Sequence, residues 1–585
     1  MKIKHLFGLA VIAAMTASCS SNEDLGTAGP GTGTNETGVG YATFTINLPS
    51  VGGSTTSGAR GTRAADYGGA EVDEGTADEY KVSDATALIF QKYGADEGSY
   101  KFVESVNLPV TATDWEDDTE AGITTKSKKL VAKLTNVDTK NTYGVLVLLN
   151  NKASSGGVKI KLPTAGQSYN EWNNEAQSPN LTELTKADNF YMANAPLNES
   201  GSVTTLVKID KNNIYATEAE AKANSSANVY VERGVAKMSV ADPATKTVVD
   251  KATPTVTTQS TVTFNNWALD ITNKKTYAVH NIDGLKSDFD DIWKTDRFIG
   301  TNSRVYWGKD PNYNMDDLKK NNATDDSKRG EEFNFITATS EINKAFTESA
   351  YCLENTFNLA NMYQGQTTRV IFKATYAPKN DAGKSLAEED GTFYTIGNMT
   401  TILKKADLET AVNTAATSVL PGCTVDYTNL KQEGSHVITL ADIKDSTGTT
   451  LVADQDYSGK KGTEIVKEIN DKLGLIDGAG HAEAMVGINT YARGVTYYIA
   501  RVKHFGSLTP WNSGESYGTD NGKYLGRYGM LRNNWYELTV GNVYGPGYPG
   551  VPPVDPNQPD DENEKYLSVS VKILSWAKRS DIVDL

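Results

Sequence analysis

The run Tyr41-Ala42-Thr43-Phe44-Thr45-Ile46-Asn47-Leu48 alternates without a break. Ala42, Phe44, Ile46 and Leu48 fall on one face, and Tyr41, Thr43, Thr45 and Asn47 on the other. A period of two belongs to a β-strand with one side on a core, so a half-buried strand is expected. Pro49 ends it. Residues 25–40 are Gly, Thr and Asn with almost nothing to bury, and residues 50–79 are rich in Gly, Ser, Thr and Ala before turning acidic. One isolated strand therefore sits between two flexible stretches.

The opposite end repeats the pattern. Leu567, Val569, Val571 and Ile573 share one face, with Ser568, Ser570 and Lys572 on the other. Pro and Gly crowd Gly545 to Pro559 just before it, which reads as a semi-extended linker. Between the two ends, strand patterns occur at 87–90, 143–149, 229–240, 262–269, 276–279, 369–376, 393–396 and 495–502. Helical spacing occurs over 399–414 and 464–473, and a Thr-, Pro-, Asp- and Lys-rich stretch at 241–260 suggests a domain boundary. The expectation is a mainly β chain of two domains with helical insertions.

Composition narrows the function. The chain has 585 residues and a net charge of −16, which disfavours a nucleic-acid surface and attraction to anionic lipids. Its three cysteines, Cys19, Cys352 and Cys423, exclude a disulfide scaffold and show no CxxC spacing for zinc. Cys352 and Cys423 are open to pairing or to two reduced core thiols.

The catalytic motifs fail on context. Gly514-Glu515-Ser516-Tyr517-Gly518 matches a nucleophile elbow, but no buried strand precedes it and no histidine follows. Asp454-Gln455-Asp456 opens like a calcium loop, but the twelfth position is Ile465, so a turn capping the next helix is the simpler reading. His481-Ala482-Glu483 lacks the second histidine of a zinc protease, and Gly31-Thr32-Gly33 follows no strand. No enzyme, cofactor or metal site is expected. Trp293, Tyr306 and Trp307 are aromatic candidates for a binding face, although core packing is their commoner use.

The first residues read as an address. Lys2 and Lys4 precede an apolar run, Leu6 to Met15, too short to span a bilayer. Small residues then lead to Cys19, which resembles a lipoprotein signal with Cys19 as the acylated N-terminus. A plain secretory signal cut near Ala17 is the alternative.

Arg60 and Arg63 lie in the Gly/Ala/Thr stretch behind the first strand, an accessible place for an arginine-specific protease. Cutting there disconnects strand 41–48 from the body. The vacated groove would suit the C-terminal strand of another copy, since both present four apolar side chains at alternate positions. Burying four such side chains is worth about 6 to 12 kcal/mol before entropy costs. The contact is heterologous and builds a filament. The competing reading makes these segments the ordinary first and last strands of a lipid-anchored monomer.

Several motifs carry a family resemblance. They are the leader with Cys19, Val231-Glu232-Arg233-Gly234-Val235-Ala236-Lys237, Trp267-Ala268-Leu269-Asp270-Ile271-Thr272-Asn273-Lys274-Lys275, Arg532-Asn533-Asn534-Trp535-Tyr536-Glu537-Leu538, and Val569 to Trp576. In order and spacing the chain resembles the fimbrilins of Bacteroidales, the type V pilins, and especially stalk subunits. The resemblance implies two transthyretin-like β-sandwich domains, export as an outer-membrane lipoprotein, cleavage after Arg63 or Arg60, and polymerisation by donor-strand exchange. Ala42, Phe44, Ile46 and Leu48 would belong to the removable strand. Leu567, Val569, Val571, Ile573 and Trp576 would belong to the donor strand. The implied organisation is a signal peptide over 1–18, a propeptide over 19–63, domains over 64–255 and 256–545, a linker over 546–563 and a donor segment over 564–585. The implied partners are further copies, accessory tip and anchor subunits, an arginine-specific protease, and a host or bacterial surface ligand. A lipid-anchored surface binding protein or a fimbrial tip adhesin is the alternative.

Overall fold

The computed structural model describes residues 34, 38–48, 75–110, 115–117, 126–138, 140–199, 202–224, 227–288, 305, 307–315, 326–358, 361–397, 399, 401–475, 487–505, 524–554, 560 and 567–575. Strands dominate, in agreement with the sequence.

The first sheet contains β1 (Gly40–Asn47), β2 (Ala85–Gln91), β3 (Lys101–Leu108), β4 (Glu116–Asp117), β5 (Lys126–Leu134), β6 (Tyr143–Leu149), β7 (Met192–Asn194), β8 (Val207–Ile209) and β9 (Ala227–Arg233). Its order is β3-β2-β6-β7-β9-β1-β5-β4, with β8 paired to β6. β6 reads Tyr-Gly-Val-Leu-Val-Leu-Leu and is buried at every position, as an uninterrupted apolar run requires. Phe90, Phe102, Tyr169 and Trp172 pack edge-on and tilted in the same core.

The second sheet contains β10 (Ala236–Val240), β11 (Thr245–Val249), β12 (Thr257–Asp270), β13 (Ala350–Cys352), β14 (Arg369–Ala377), β15 (Val495–Arg501), β16 (Asn534–Val543) and β17 (Leu567–Ser575). Its order is β13-β10-β16-β11-β12-β14-β15, with β17 antiparallel to β16. Between β14 and β15 lies an insertion with its own apolar core. Its helices are α2 (Lys405–Val419) and α3 (Gly462–Leu473), which meet through residues such as Leu408, Val412, Ile465 and Ile469.

Several expectations are corrected. The run 229–240 is two strands, β9 and β10, one in each sheet. The crossing is at Gly234 and Val235, upstream of the 241–260 stretch. A Cβ on Gly234 would lie 2.6 Å from the Tyr191 ring, so only glycine lets the chain pass there. Residues 276–279 are not a strand. Thr276 makes an isolated bridge to Gln177, while Ala278 and Val279 enter the first core as loop. Of the two expected helices, 464–473 is α3, but 399–414 is displaced to 405–419. Leu403 and Tyr394 exchange backbone hydrogen bonds and hold the preceding residues extended. Asp456 closes a hairpin by accepting from Gly459 N at 2.8 Å, and the N-cap of α3 is Lys461, not an acidic residue.

The Pro/Gly run is anchored where it is described. Tyr497 and Tyr548 exchange backbone hydrogen bonds, Tyr498 and Tyr491 donate to Gly545 O and Gly547 O, and Arg369 donates to Pro552 O and Pro553 O. Trp307 is fully buried with Phe505 and Tyr528, so it packs a core and is not a binding face. Trp293 and Tyr306 lie outside the described residues, as do the Ser516 motif, His481 and Glu483. Cys352 and Cys423 are both free and buried, and burial pushes the Cys352 thiol up to about 12. Among the described residues no helix is long and apolar enough to cross a membrane.

Phe44 is completely buried in β1, whereas Thr45 is half-buried on the other face. Phe44→Ala is expected to destabilise the fold by about 3–5 kcal/mol, and Thr45→Ala by less than about 0.5 kcal/mol. Denaturant titration of the two variants checks both values.

Candidate functional site

β1 is an interior strand. On one side it runs antiparallel to β5, with Ala42 opposite Ala132, Thr43 opposite Val131 and Phe44 opposite Leu130. On the other it runs parallel to β9, with Thr45 opposite Asn228 and Ile46 opposite Val229. Ala42, Phe44, Ile46 and Leu48 are buried in the first core together with Leu130, Ala132 and Leu134.

Its second face is more enclosed than alternation suggests, although Tyr41 and Thr45 stay half-buried. Thr43 is 3% exposed and Asn47 7%. A short helix, α1 (Glu218–Ala223), covers this face. Thr217 caps α1 in a reciprocal box. Its hydroxyl accepts from Glu220 N at 3.3 Å, and the Glu220 carboxylate accepts from Thr217 N at 3.1 Å. Thr43 Oγ1 donates to Ala221 O at 2.6 Å. Lys129, on β5, donates to Lys222 O at 3.0 Å and Asn224 O at 2.7 Å, placing a cation at the helix C-terminus. Tyr41 and Tyr215 exchange backbone hydrogen bonds at 2.8 Å, and Asn47 Nδ2 donates to Val229 O at 3.3 Å. The seat of β1 thus has a core floor, two strand walls and a polar roof. Alternation in 41–48 could not reveal the roof, but Thr217-Glu218-Ala219-Glu220 carries the capping-box signature that announces α1.

β17 lies in the second sheet. Among the described strands it pairs only with β16, with Asn534 opposite Ser575 and Val543 opposite Leu567. Leu567, Val569, Val571 and Ile573 all lie on this strand. Cys19, Arg60, Arg63 and Trp576 lie outside the described residues.

A buried polar junction joins the two sheets. Lys237 Nζ sits 2.8 Å from Glu79 Oε1, both side chains nearly inaccessible, and 3.7 Å from the centre of the Trp535 ring. Tyr351 donates to the same carboxylate at 2.5 Å, and Arg233 Nε donates to Glu79 O at 2.9 Å. Nearby, His280 Nδ1 lies 2.9 Å from Glu232 Oε1 and Arg532 Nε lies 3.1 Å from Glu354 Oε2. Arg532 also donates to Thr276 Oγ1 and Tyr277 O. The motifs at 231–237 and 532–538 therefore supply one crossing point. Among the described residues no group of His, Cys, Asp and Glu is arranged to hold a metal.

Residues 489–581, which contain β15, β16 and β17, match the family described as major fimbrial subunit protein type IV, fimbrillin, C-terminal. The C-terminal part of this chain is thus similar to the C-terminal region of fimbrillins. No curated protein matches the chain significantly. Three similar solved structures are a protein described as a cell adhesion protein from Parabacteroides distasonis, a fimbrial assembly protein from the same species, and the tip fimbrial protein Mfa3 from Porphyromonas gingivalis with a C-terminal truncation. The first is 10% identical with a TM-score of 0.35, over 93% of this chain and 99% of that one. The second is 11% identical with a TM-score of 0.27, over 62% and 93%. The third is 10% identical with a TM-score of 0.26, over 92% and 100%. The matched region holds both β16 and β17, and it contributes Arg532 and Trp535 to the junction.

Burial alone pushes the Glu79 carboxyl up, but the charge of Lys237, with hydrogen bonds from Lys237, Tyr351 and Thr76 N, brings it below the ordinary value. A lowered folded-state pKa stabilises the fold above the unfolded value near 4.5, and that stability is lost as pH falls through the folded value. Lys237→Met is expected to cost about 3–5 kcal/mol at neutral pH, because Glu79 is left buried and uncompensated. The gap to the parent should narrow below pH 4.5, and Glu79→Gln in the same chain should recover part of the loss. Denaturant unfolding across pH measures all three effects.

Proposed function

We propose that this protein is a structural subunit of a cell-surface fimbria, a stalk protein that polymerises by exchanging β1 for the C-terminal strand of another copy. In this reading the precursor is an outer-membrane lipoprotein acylated at Cys19. An arginine-specific protease cuts after Arg63, or after Arg60, and detaches both the lipid and β1 from the body. Tip and anchor subunits complete the fimbria, which supports adhesion.

The observation that carries this reading is the seat of β1. β1 is an interior strand of the first sheet, and it precedes the stretch that carries Arg60 and Arg63. Without it β5 and β9 lose a shared partner, and the seats of Ala42, Phe44, Ile46 and Leu48 open to water. A body cut from β1 therefore needs another strand of the same pattern. The matched region ends in one, β17, held by a single neighbour among the described strands.

Treating the purified precursor with an arginine-specific protease should give a new N-terminus at Ala64 or Gly61 by mass spectrometry, with filaments by electron microscopy. A chain lacking residues 567–585 should be cut in the same way and form none. Resistance at both arginines, or cleavage that leaves stable monomers, contradicts polymerisation and favours a lipid-anchored surface binding protein.

A further inference from the structure

The roof over β1 makes its outer face a test of any strand that replaces it. On the exchange reading above, we infer that residues 566–573 of a second copy enter the seat in β1's direction and in one register, with Tyr566 in the place of Tyr41 and Ser568 in the place of Thr43. The two segments read Tyr-Ala-Thr-Phe-Thr-Ile-Asn-Leu and Tyr-Leu-Ser-Val-Ser-Val-Lys-Ile. Position by position they match in kind: a tyrosine, an apolar residue, a hydroxyl, an apolar residue, a hydroxyl, an apolar residue, a side-chain N–H donor and an apolar residue.

Each outer match meets a feature of the seat. Ser568 carries the hydroxyl that Ala221 O takes from Thr43, at the most enclosed point of the outer face. Ser570 falls where Thr45 is half-buried. Lys572 brings an N–H donor to the place where Asn47 donates to Val229 O. On the inner face, Leu567 for Ala42 adds volume next to the volume that Val569 for Phe44 removes. Interior packing tolerates such exchanges best when total volume is kept.

Other registers of the same direction fail. A shift by one puts the serines and Lys572 into the core. A shift by two one way puts Lys565 in the place of Ala42, which is 1% exposed. A shift by two the other way puts Ser575 in the place of Leu48 and Leu574 in that of Asn47, losing an apolar contact and a donor. The fit also has a defined start. In this register Lys565 falls at position 40, where a Cβ would lie 2.7 Å from Ile214 Cγ2, so the ladder starts at Tyr566 and Lys565 turns away from it.

Register is read by disulfide trapping. Val131 of β5 faces Thr43 across the ladder, within the separation that a disulfide spans. Full-length chain carrying Val131→Cys is mixed with chain carrying Tyr566→Cys, Ser568→Cys or Ser570→Cys, cut with the protease and allowed to assemble under mild oxidation. Val131→Cys alone must still form filaments, which controls for folding. The expected result is a covalent dimer from Ser568→Cys, at least tenfold above the other two. A dimer from Ser570→Cys or Tyr566→Cys overturns the register and leaves strand exchange standing. Filaments with no dimer from any mixture overturn both, because the segment then goes elsewhere.

Discussion

The first sheet depends on an interior strand, packed into a core on one face and partly roofed on the other. β1 shares its backbone with β5 and β9, fills the core with Ala42, Phe44, Ile46 and Leu48, and meets α1 through Thr43. Hydrophobic burial fixes which residues face inward, and the roof fixes what lies on the other face. An edge strand could peel away and leave its sheet largely intact. An interior strand cannot, because two neighbours lose their ladders together. The seat is therefore a stable place only while a strand of this pattern occupies it.

The second sheet carries a strand of that pattern and is coupled to the first sheet. β9 and β10 are consecutive in the chain but belong to different sheets, and the turn between them is held by Gly234, by Glu79 with Arg233 and Lys237, and by Asn533 N donating to Val235 O. Replacing such pairs with apolar residues is often neutral, so their net stabilisation is small, but breaking one leaves a buried charge. In the proposed filament, load passes from the seat through β9 and β10 to β16 and then along the covalent chain to residues 566–573, seated in the next copy.

Much of this was legible in the residues, and the failures have particular causes. β6 was plain because seven buried positions admit no polar face, and α3 was plain from the spacing of Ile465 and Ile469. The apolar residues of 276–279 resembled a strand but serve as a plug, with Ala278 accepting from the Tyr191 hydroxyl. Trp307 was an open choice in sequence and is core in structure. Alternation reports only the contrast between faces, so 41–48 alone does not announce a roof over the outer face of β1. Its roof comes from residues 217–224, far along the chain, and the polar side chains beneath it are satisfied there. Local pattern cannot distinguish a buried hydroxyl with a partner from an exposed one.

The central claim is that the seat changes occupant and is never left empty. Purified filaments, digested and examined by mass spectrometry after hydrogen exchange, test it most directly. The account predicts that residues 41–48 are absent from the filament while amides of 127–134 and 227–230 stay as protected as in the precursor. Filaments that retain residues 41–48 in stoichiometric amount, or that lose protection in both flanking strands, would contradict it.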